Sequence, residues 1–522
     1  MRARAAVFGL AALALAGQAP FVQTTAAGDR LRPLPAPRFR RGAPPPGPAV
    51  AVRLGEPRQT VEGFGGALTE ASAWVLAQLP PARRQEVLDL CFGPGGAGFT
   101  LARVPVGACD FSVEGRWSYD DHPGDEALAH FSIEPDRRGF KDARDPAYAL
   151  LPLVKDALAR EPGLRLVASP WTAPAWMKDN GAWYGEGRGG ALLPRHYDTF
   201  ARYMVRYLQA YRDEGVPIWA VTPENEPGGN GGQWESMEFT PEALSDYIGL
   251  HLGPRLKAAG FGGVRIIQYD HNRDAAAVRF TEAALKGPAA PYVWGTGVHW
   301  YERTRDAGAD VLDRLRALAP QWTLLHTEGC VDALADEVNA PGGRFLGWRN
   351  DAWWWTAGAA DWGHRWAPEA DRADHPLYAP ALRYARDMLT GLNHGLAGWI
   401  DWNIVLDRRG GPNHVGNVCG APVMVDTAAG EVYVTPLHPV LAHLSRYFRP
   451  GDRVLAVDAG GGLLAAAARD GAHLKVVIHN PGDAPVAYAL RAGRAWARVA
   501  IPGRAIQSVR VPLRGLDGPR KR

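Results

Sequence analysis

The sequence predicts an α/β protein, a (β/α)8 TIM barrel with an associated antiparallel β-sandwich domain. Between residue 61 and about residue 405, short apolar runs alternate with longer amphipathic stretches about eight times. Eight such repeats are the number that closes a barrel. After Val425 the chain changes to short alternating segments separated by Gly, Asp and Pro, a pattern typical of a small sandwich without helices. The composition, 46% hydrophobic and 22% charged, is that of a globular protein.

The eight apolar runs are the predicted barrel strands. In chain order they are Val61–Leu68, Phe99–Val106, Leu164–Ser169, Ile218–Thr222, Val264–Tyr269, Val293–Trp300, Thr323–Thr327 and Gly398–Val405. The amphipathic stretches between them, predicted to be helical, include Arg83–Cys91, His196–Arg212, Pro241–Ala258 and Ala381–Leu392. Because active sites of this fold lie at the C-terminal ends of the strands, polar residues just past each run are the candidate functional residues.

Residues 1–19 are predicted to be an export signal. Arg2 and Arg4 precede a short apolar run rich in Ala and Leu, and small residues follow it. The run is shorter than the ~20 apolar residues that a membrane-spanning helix needs. A cleaved signal and an uncleaved anchor both remain open, and in either case we expect an exported protein, periplasmic or secreted.

The rest of the chain divides into regions that differ in composition and in the pattern of apolar residues. Residues 20–58 contain a Pro-rich segment and are expected to pair with the sandwich, residues 59–427 form the barrel, and residues 428–516 form the sandwich. Residues 517–522 are a short basic tail. No Trp follows Trp496, so the sandwich is interpreted as a structural flank rather than an independent carbohydrate-binding module.

Several partners are not indicated. The net charge is +3, from 58 basic and 55 acidic residues, and the basic residues are scattered, so nucleic-acid binding is not expected. The sequence lacks HExxH and a P-loop, and its Gly-rich pieces lack the strand–GxGxxG–helix context. We therefore expect no metal site and no cofactor. The four cysteines permit two disulfides, but buried thiols are an equal alternative.

Two glutamates follow predicted strands and form a candidate catalytic pair. Glu226 follows the fourth run, between Asn225 and Pro227, and Glu328 follows the seventh run. Strands four and seven end on roughly opposite sides of a barrel mouth. Hydrolysis of a glycosidic bond needs two such carboxyl groups, one to protonate the leaving oxygen and one to attack the anomeric carbon or to activate water. The pair therefore predicts a glycosidase, and a retaining one if the carboxyls lie ~5–5.5 Å apart.

The motifs around this pair resemble those of glycoside hydrolase family 30, the glucosylceramidase (glucocerebrosidase) type. The strings, in the family's order, are VEGFGGALTEA, RVPVGACDFS, ASPWTAPAWMKDNG, WAVTPENEP, VHWY, HTEGC, GWIDWN and GGPN. The resemblance implies a barrel with a β-sandwich, no cofactor, and a β-glucoside substrate that is either a glycolipid or an oligosaccharide. A glycolipid substrate would also imply contact with a membrane surface.

The resemblance also implies roles. Glu226 would be the general acid/base, Glu328 the nucleophile, and Asn225 the donor to the sugar 2-hydroxyl. Arg103 and Tyr301 would hydrogen-bond the nucleophile. The residues expected beside the pair or around the −1 sugar, the sugar whose bond is cleaved, are His299, Asp110, Trp171, Asp401 and Trp402, and Asn417 would line the aglycone entrance. Cys109 and Cys330 resemble unpaired cysteines of the family.

The sequence differs from the family's usual pattern in two places that affect the expected substrate. A Trp-rich stretch, roughly 333–376, follows Glu328 and would either shape the leaving-group subsites or form an aromatic lid. His414 stands where a Trp is usual after GGPN, which would make the entrance less apolar. The leading hypothesis is a glucosylceramidase-type β-glucosidase. The alternatives are an endo-β-1,6-glucanase or β-xylosidase of the same family, and a non-catalytic glycan-binding barrel.

Overall fold

The computed structural model describes residues 19–184, 190–230, 232–303, 306–332, 378–417, 419–514 and 516. Three predicted features therefore lie outside the described residues: nearly all of the export signal, the Trp-rich stretch 333–376 and the basic tail 517–522. Within the described residues, no helix has both the length and the apolar character that crossing a membrane requires.

The strands of the described residues, in chain order, are β1 (Phe21–Thr25), β2 (Arg32–Pro33), β3 (Arg40–Arg41), β4 (Ala49–Thr60), β5 (Gly63–Ala67), β6 (Leu101–Val106), β7 (Arg165–Pro170), β8 (Ala220–Val221), β9 (Arg265–Asn272), β10 (Val293–His299), β11 (Thr323–Glu328), β12 (Val331–Asp332), β13 (Leu396–Asp401), β14 (Val405–Asp407), β15 (Cys419–Gly420), β16 (Val423–Asp426), β17 (Glu431–Val434), β18 (Arg453–Ala459), β19 (Leu464–Arg469), β20 (His473–Asn480), β21 (Val486–Ala492), β22 (Ala495–Ile501) and β23 (Ala505–Pro512).

The α-helices are α1 (Glu70–Ala77), α2 (Pro81–Phe92), α3 (Glu134–Arg137), α4 (Leu150–Arg160), α5 (Tyr197–Asp213), α6 (Pro241–Asp246), α7 (Gly253–Ala258), α8 (Ala275–Lys286), α9 (Ala309–Leu318), α10 (Tyr378–Asn393) and α11 (Leu437–Ser445). The predicted helix over 241–258 is continuous, but its middle turn, Tyr247–Leu252, is a π-helix.

Strands β5 to β11 and β13 close into a parallel eight-stranded barrel, which confirms the predicted fold class. The bounds of the first seven barrel strands lie within three residues of those of a predicted apolar run. The first two strands approach closely at Gly65, where a Cβ atom would lie 1.7 Å from the carbonyl oxygen of Leu101. A side chain there would force β5 and β6 apart, so the glycine is required by the barrel's closure.

The eighth barrel strand ends earlier than predicted. The run Gly398–Val405 was expected to be one strand, but β13 ends at Asp401. The next residues leave the ladder because the Trp402 N–H donates to the carbonyl of Gly329 (2.8 Å) and Asn403 has a positive φ of 67°. Val405 then begins β14, which belongs to a separate three-stranded sheet with β16 and β17.

The second domain is built on a ten-stranded sheet in the order β2-β1-β23-β20-β19-β18-β4-β21-β22-β3. The N-terminal strands β1 to β4 belong to this sheet, and side chains from distant strands share one apolar core. The prediction of a wholly antiparallel sandwich was wrong in one respect, because β4 and β21 pair in parallel. The pair is parallel because β4 comes from the N-terminal segment rather than from a hairpin with β21.

The prediction that no helix follows Val425 was also wrong. Helix α11 occupies residues 437–445, every residue of which is buried. It packs on α10 and β5 of the barrel, and on β23 of the second domain. The strand before it, β17, pairs with β16 beside the barrel rather than with the ten-stranded sheet. The C-terminal part of the second domain therefore begins at Arg453 rather than at residue 428.

We expect Leu441→Ala to lower the free energy of unfolding by about 2–5 kcal/mol, because it leaves a cavity at a fully buried position between the two domains. Leu250→Ala is the matched control: Leu250 is 58% exposed, so the same substitution there should change stability by no more than about 0.5 kcal/mol. Thermal and denaturant midpoints of both variants test this. Equal midpoints would contradict the interdomain role of α11.

Candidate active site

A cavity of about 340 Å³ opens at the C-terminal ends of the barrel strands. Both candidate glutamates line it, on β11 and just past β8. Six further residues predicted from the sequence to bind sugar or hold the pair also line it: Asp110, Trp171, Asn225, Tyr301, Trp402 and Asn417. The barrel therefore brings together side chains that are up to 307 residues apart in the sequence.

Arg103 lies beneath this cavity, on β6, and is wholly inaccessible to solvent. Its guanidinium donates to a carboxylate oxygen of Asp270 (2.6 Å), to Oδ1 of Asn225 (2.8 Å) and to Glu328. Its Nε donates to the Ser169 hydroxyl (3.0 Å). A buried guanidinium is tolerated only when its donors are paired in this way. Arg103 thus contacts residues from four other strands or strand ends of the barrel.

Two donors hold the Glu328 carboxylate, Arg103 and Tyr301, the residues that the family resemblance implied. One carboxylate oxygen accepts from Arg103 and the other accepts from the Tyr301 hydroxyl (2.9 Å). Burial raises the pKa of Glu328, and the charge of nearby Glu226 adds to this, while His299 and Arg103 oppose it. The carboxylate therefore has a fixed orientation with its two oxygens distinguished by their partners.

Glu226 occupies a constrained backbone position. Its φ is +56°, a conformation that costs a non-glycine residue about 1–3 kcal/mol. The surrounding chain fixes it, because the Glu226 N–H donates to the Asp270 carbonyl (3.0 Å) and the Asn225 N–H donates to the Pro170 carbonyl (2.7 Å). In this backbone conformation the Glu226 side chain lines the cavity.

His299 joins the two sides of the site. Its Nδ1 lies 3.1 Å from a carboxylate oxygen of Glu226, and its Nε2 lies 3.1 Å from Asp270. Burial on its own would lower the pKa of His299, but the carboxylates of Glu328, Asp270 and Glu226 raise it to about 9. The imidazole is therefore protonated at neutral pH.

Two imidazoles, those of His299 and His271, lower the pKa of Glu226. Burial alone would raise the pKa of Glu226, but His271 and His299 hold it below its usual range. A continuous path of hydrogen bonds then runs from Glu226 through His299, Asp270 and Arg103 to Glu328. A change of charge on one glutamate is thus transmitted to the other.

One group of three side chains among the described residues could hold a metal ion: Glu226, His271 and His299. Their possible ligand atoms lie within 4.8 Å of one another. The arrangement does not favour a metal ion. Both ring nitrogens of His299 face carboxylates, and an imidazolium has no lone pair to give to a metal. The described site therefore fits acid–base chemistry by its own side chains.

Two indoles form one wall of the cavity. Trp171 and Trp402 stack with ring centroids 5.1 Å apart, and the Arg103 guanidinium lies 4.7 Å from the centroid of Trp171. Asp401, expected to bind the sugar, does not line the cavity as described; its carboxylate accepts from the Tyr384 hydroxyl (2.7 Å) and the Trp402 N–H. In this arrangement Asp401 fixes the backbone beside Trp402.

Asp110 and Asn417 meet on another wall. The Asn417 amide donates to Oδ2 of Asp110 (2.9 Å), while Oδ1 of Asp110 is buried and has no hydrogen-bond partner among the residues that the structure describes. Burial, together with the charge of Glu328, raises the pKa of Asp110. One acceptor on Asp110 is therefore left for a ligand hydroxyl.

His414 does not line the cavity. Its Nε2 lies 3.0 Å from Glu235, and its Nδ1 lies 3.0 Å from the Ser112 carbonyl. Glu235 is fully buried, with the Arg116 guanidinium 3.7 Å away. Because of these contacts, His414 ties the loop after β14 to two other loops at the cavity's rim.

The sequence reasoning missed two groups that contact the pair. Asp270 and His271 directly follow the predicted fifth strand, Val264–Tyr269, so the strand-end rule would have found them. Asn272, the last residue of β9, also lines the cavity. Five other cavity residues lie in loops with no local signal: Asn230, Gln233, Trp234, Asp274 and Glu302. Those loops are brought to the cavity only by the closure of the barrel.

Comparison with known proteins agrees with this geometry. The model of the glycosyl hydrolase family 30 TIM-barrel domain matches residues 61–345 and 363–448. The chain belongs to glycosyl hydrolase family 30. The resemblance noted in the sequence is thereby confirmed, and the family 30 chain is a glycosidase.

Its relatives differ in substrate. The family 30 chain is 31% identical over 435 residues to the lysosomal acid glucosylceramidase of Mus musculus, covering 81% of this chain and 76% of that protein. It is 26% identical over 455 residues to an endo-1,6-β-D-glucanase of Neurospora crassa, covering 84% and 83%. Its fold matches SrfJ from Salmonella typhimurium with a TM-score of 0.79 at 26% identity, covering 94% and 98%.

We expect kcat/KM of the family 30 enzyme to fall as pH rises through about 9, where His299 loses its proton. A raised pKa means that the imidazolium persists below this pH and is lost above it. His299→Gln should abolish this alkaline limb and slow cleavage of substrates with poor leaving groups by about 10²-fold. A pH–rate profile tests this.

His271→Gln is the control for that profile. It removes the imidazole 3.5 Å from Glu226 but leaves the carboxylates around His299 in place. The alkaline limb should therefore remain near pH 9 in this variant. A limb that survives in His299→Gln would show that another group controls it.

Proposed function

We propose that this protein is a retaining β-glucoside hydrolase of the glucosylceramidase type, exported from the cell. The observation that carries the proposal is the pairing of Glu226 and Glu328 across one cavity, joined through Arg103, Asp270 and His299. The 31% identity to a glucosylceramidase over most of the chain supports the glucose-releasing chemistry.

The first step forms a glycosyl-enzyme. Glu328, oriented by Arg103 and Tyr301, attacks the anomeric carbon from the face opposite the leaving group. Glu226 donates its proton to the departing glycosidic oxygen. The acid proton comes from His299, which holds a proton 3.1 Å from Glu226 and passes it to Glu226 once the sugar is bound.

The second step returns the enzyme to its starting state. Glu226, now ionised, takes a proton from water, and the water oxygen attacks the anomeric carbon and releases Glu328. Two inversions give net retention. During both steps Asn225 can donate its amide N–H to the sugar 2-hydroxyl, because Arg103 binds the amide oxygen and so orients the amide nitrogen away.

One observation about the leaving-group side of the cavity favours a second candidate substrate. The lining beyond the catalytic pair is polar, with the amides of Asn230, Gln233 and Asn272, and Trp234 adds a flat face. Hydroxyl-rich sugars suit such a wall better than an alkyl chain does. The second candidate is therefore hydrolysis of a β-1,6-linked glucan, the activity in the name of the Neurospora relative.

We expect Glu328→Ala to lose nearly all turnover on an activated aryl β-glucoside. Added azide should restore turnover and yield the α-glucosyl azide, because azide enters the face that the nucleophile has vacated. NMR of the product measures its configuration. Formation of the β-azide by this variant would contradict the nucleophile assignment.

The matched variant is Glu226→Ala. It keeps the nucleophile, so azide should intercept the glycosyl-enzyme and give the β-glucosyl azide. Its turnover should fall by about 10²–10⁴-fold for a poor leaving group and much less for an activated one. Equal losses on both substrates would remove Glu226 from the acid role.

We expect a panel of aryl β-glucoside, aryl β-xyloside, β-1,6-glucan and glucosylceramide to show the highest kcat/KM on a glucoside. The ratio of kcat/KM for glucosylceramide to that for β-1,6-glucan separates the two candidates. Dominant hydrolysis of β-1,6-glucan would replace the first candidate by the second. Dominant hydrolysis of the xyloside would overturn both.

A further inference from the structure

Two cysteines beside the active site lie against each other. The Sγ atoms of Cys330 and Cys419 are 2.9 Å apart, although the residues are 89 positions apart in the sequence. Both side chains are buried. A disulfide bond is ~2.05 Å long, so a movement of about 1 Å would bring the sulfurs to bonding distance.

The backbone holds these cysteines in place. Strands β12 and β15 form a two-residue antiparallel ladder, in which Val331 pairs with Gly420 and Asp332 pairs with Cys419. Cys330 directly precedes this ladder, and Cys419 is its first residue on the other strand. The two segments are thus already side by side without any bond between the sulfurs.

The segments carry parts of the active site. Cys330 lines the cavity two residues after Glu328, and its sulfur lies 3.5 Å from the Tyr301 hydroxyl, which also donates to Glu328. Cys419 follows two residues after Asn417, which donates to Asp110. A bond between the sulfurs would therefore link the end of β11, which carries Glu328, to the loop that carries Asn417.

The other two cysteines provide an internal comparison. Cys91 lies in α2 and Cys109 lies in the loop after β6, and burial raises the pKa of both thiols. Thiol–disulfide exchange requires a thiolate and access to an oxidant, so neither is expected to react in the folded protein. The Cys330–Cys419 pair is distinguished by its contact rather than by its burial.

We propose that Cys330 and Cys419 form a disulfide that braces the active-site wall when the protein folds in an oxidising compartment. The oxidant is an external disulfide, either of a protein or of a small thiol. One cysteine thiolate attacks it and releases one thiol; the second cysteine then attacks the mixed disulfide and releases the other thiol. The two electrons and the two thiol protons end on the released thiols. This inference does not depend on the substrate or on the catalytic assignments.

A thiol count tests the bond directly. The full chain is refolded with a mixture of reduced and oxidised glutathione. It is then unfolded in denaturant that contains N-ethylmaleimide, which alkylates every free thiol. We expect two alkylated cysteines, Cys91 and Cys109, and a peptide pair joined through Cys330 and Cys419. After reduction, all four should be alkylated. Four alkylated cysteines before reduction, or a different linked pair, would overturn the proposal.

A variant tests the bracing role. Wild-type protein refolded with the glutathione mixture should have a thermal midpoint several degrees above that of protein refolded in dithiothreitol. Cys419→Ser should show no such difference, whereas the control Cys91→Ser, a buried cysteine outside the pair, should keep it. A wild-type midpoint that is the same in both preparations would show that the bond does not brace the wall.

Discussion

The active site depends on one buried cation. Arg103 is removed from water, and its charge must be balanced where it lies. The partners that balance it, Asp270 and Glu328, come from two other strands, and Asn225 supplies a neutral acceptor. Removing any one would leave a charge or a donor uncompensated in a region without solvent. The network therefore fixes the positions of the strand ends as well as the orientation of the nucleophile.

The network places opposite demands on the two glutamates. Glu328 is held by a guanidinium and a phenol, whose donors orient it for attack. Glu226 faces two imidazoles and sits on a strained backbone. Because His299 is hydrogen-bonded to Glu226 and is also affected by the charge of Glu328, it responds to both. A proton can thus move between His299 and Glu226 as the charge on the nucleophile changes.

The second domain is connected to the barrel at β5, the first barrel strand. Strand β4 of the ten-stranded sheet ends only three residues before barrel strand β5 begins, so the chain enters the barrel directly from that sheet. Helix α11 packs on β5, which neighbours the strand carrying Arg103. The entry from β4 and the packing of α11 thus both act on β5, the strand beside the one that carries Arg103.

The sequence by itself determined the barrel, the two glutamates and most of their neighbours. Short continuous apolar runs, buried on both faces, define the barrel strands locally, and so does the identity of the residue that follows each run. Only the tertiary structure decided which of these residues share a contact. Asp270 is one residue past a predicted strand, yet its importance comes from Arg103, 167 positions away. Likewise, the parallel pairing of β4 with β21, the buried helix α11 and the contact of Cys330 with Cys419 each join distant segments. Local periodicity carries no information about such partners, because it is barrel closure and burial, not neighbouring residues, that bring them together.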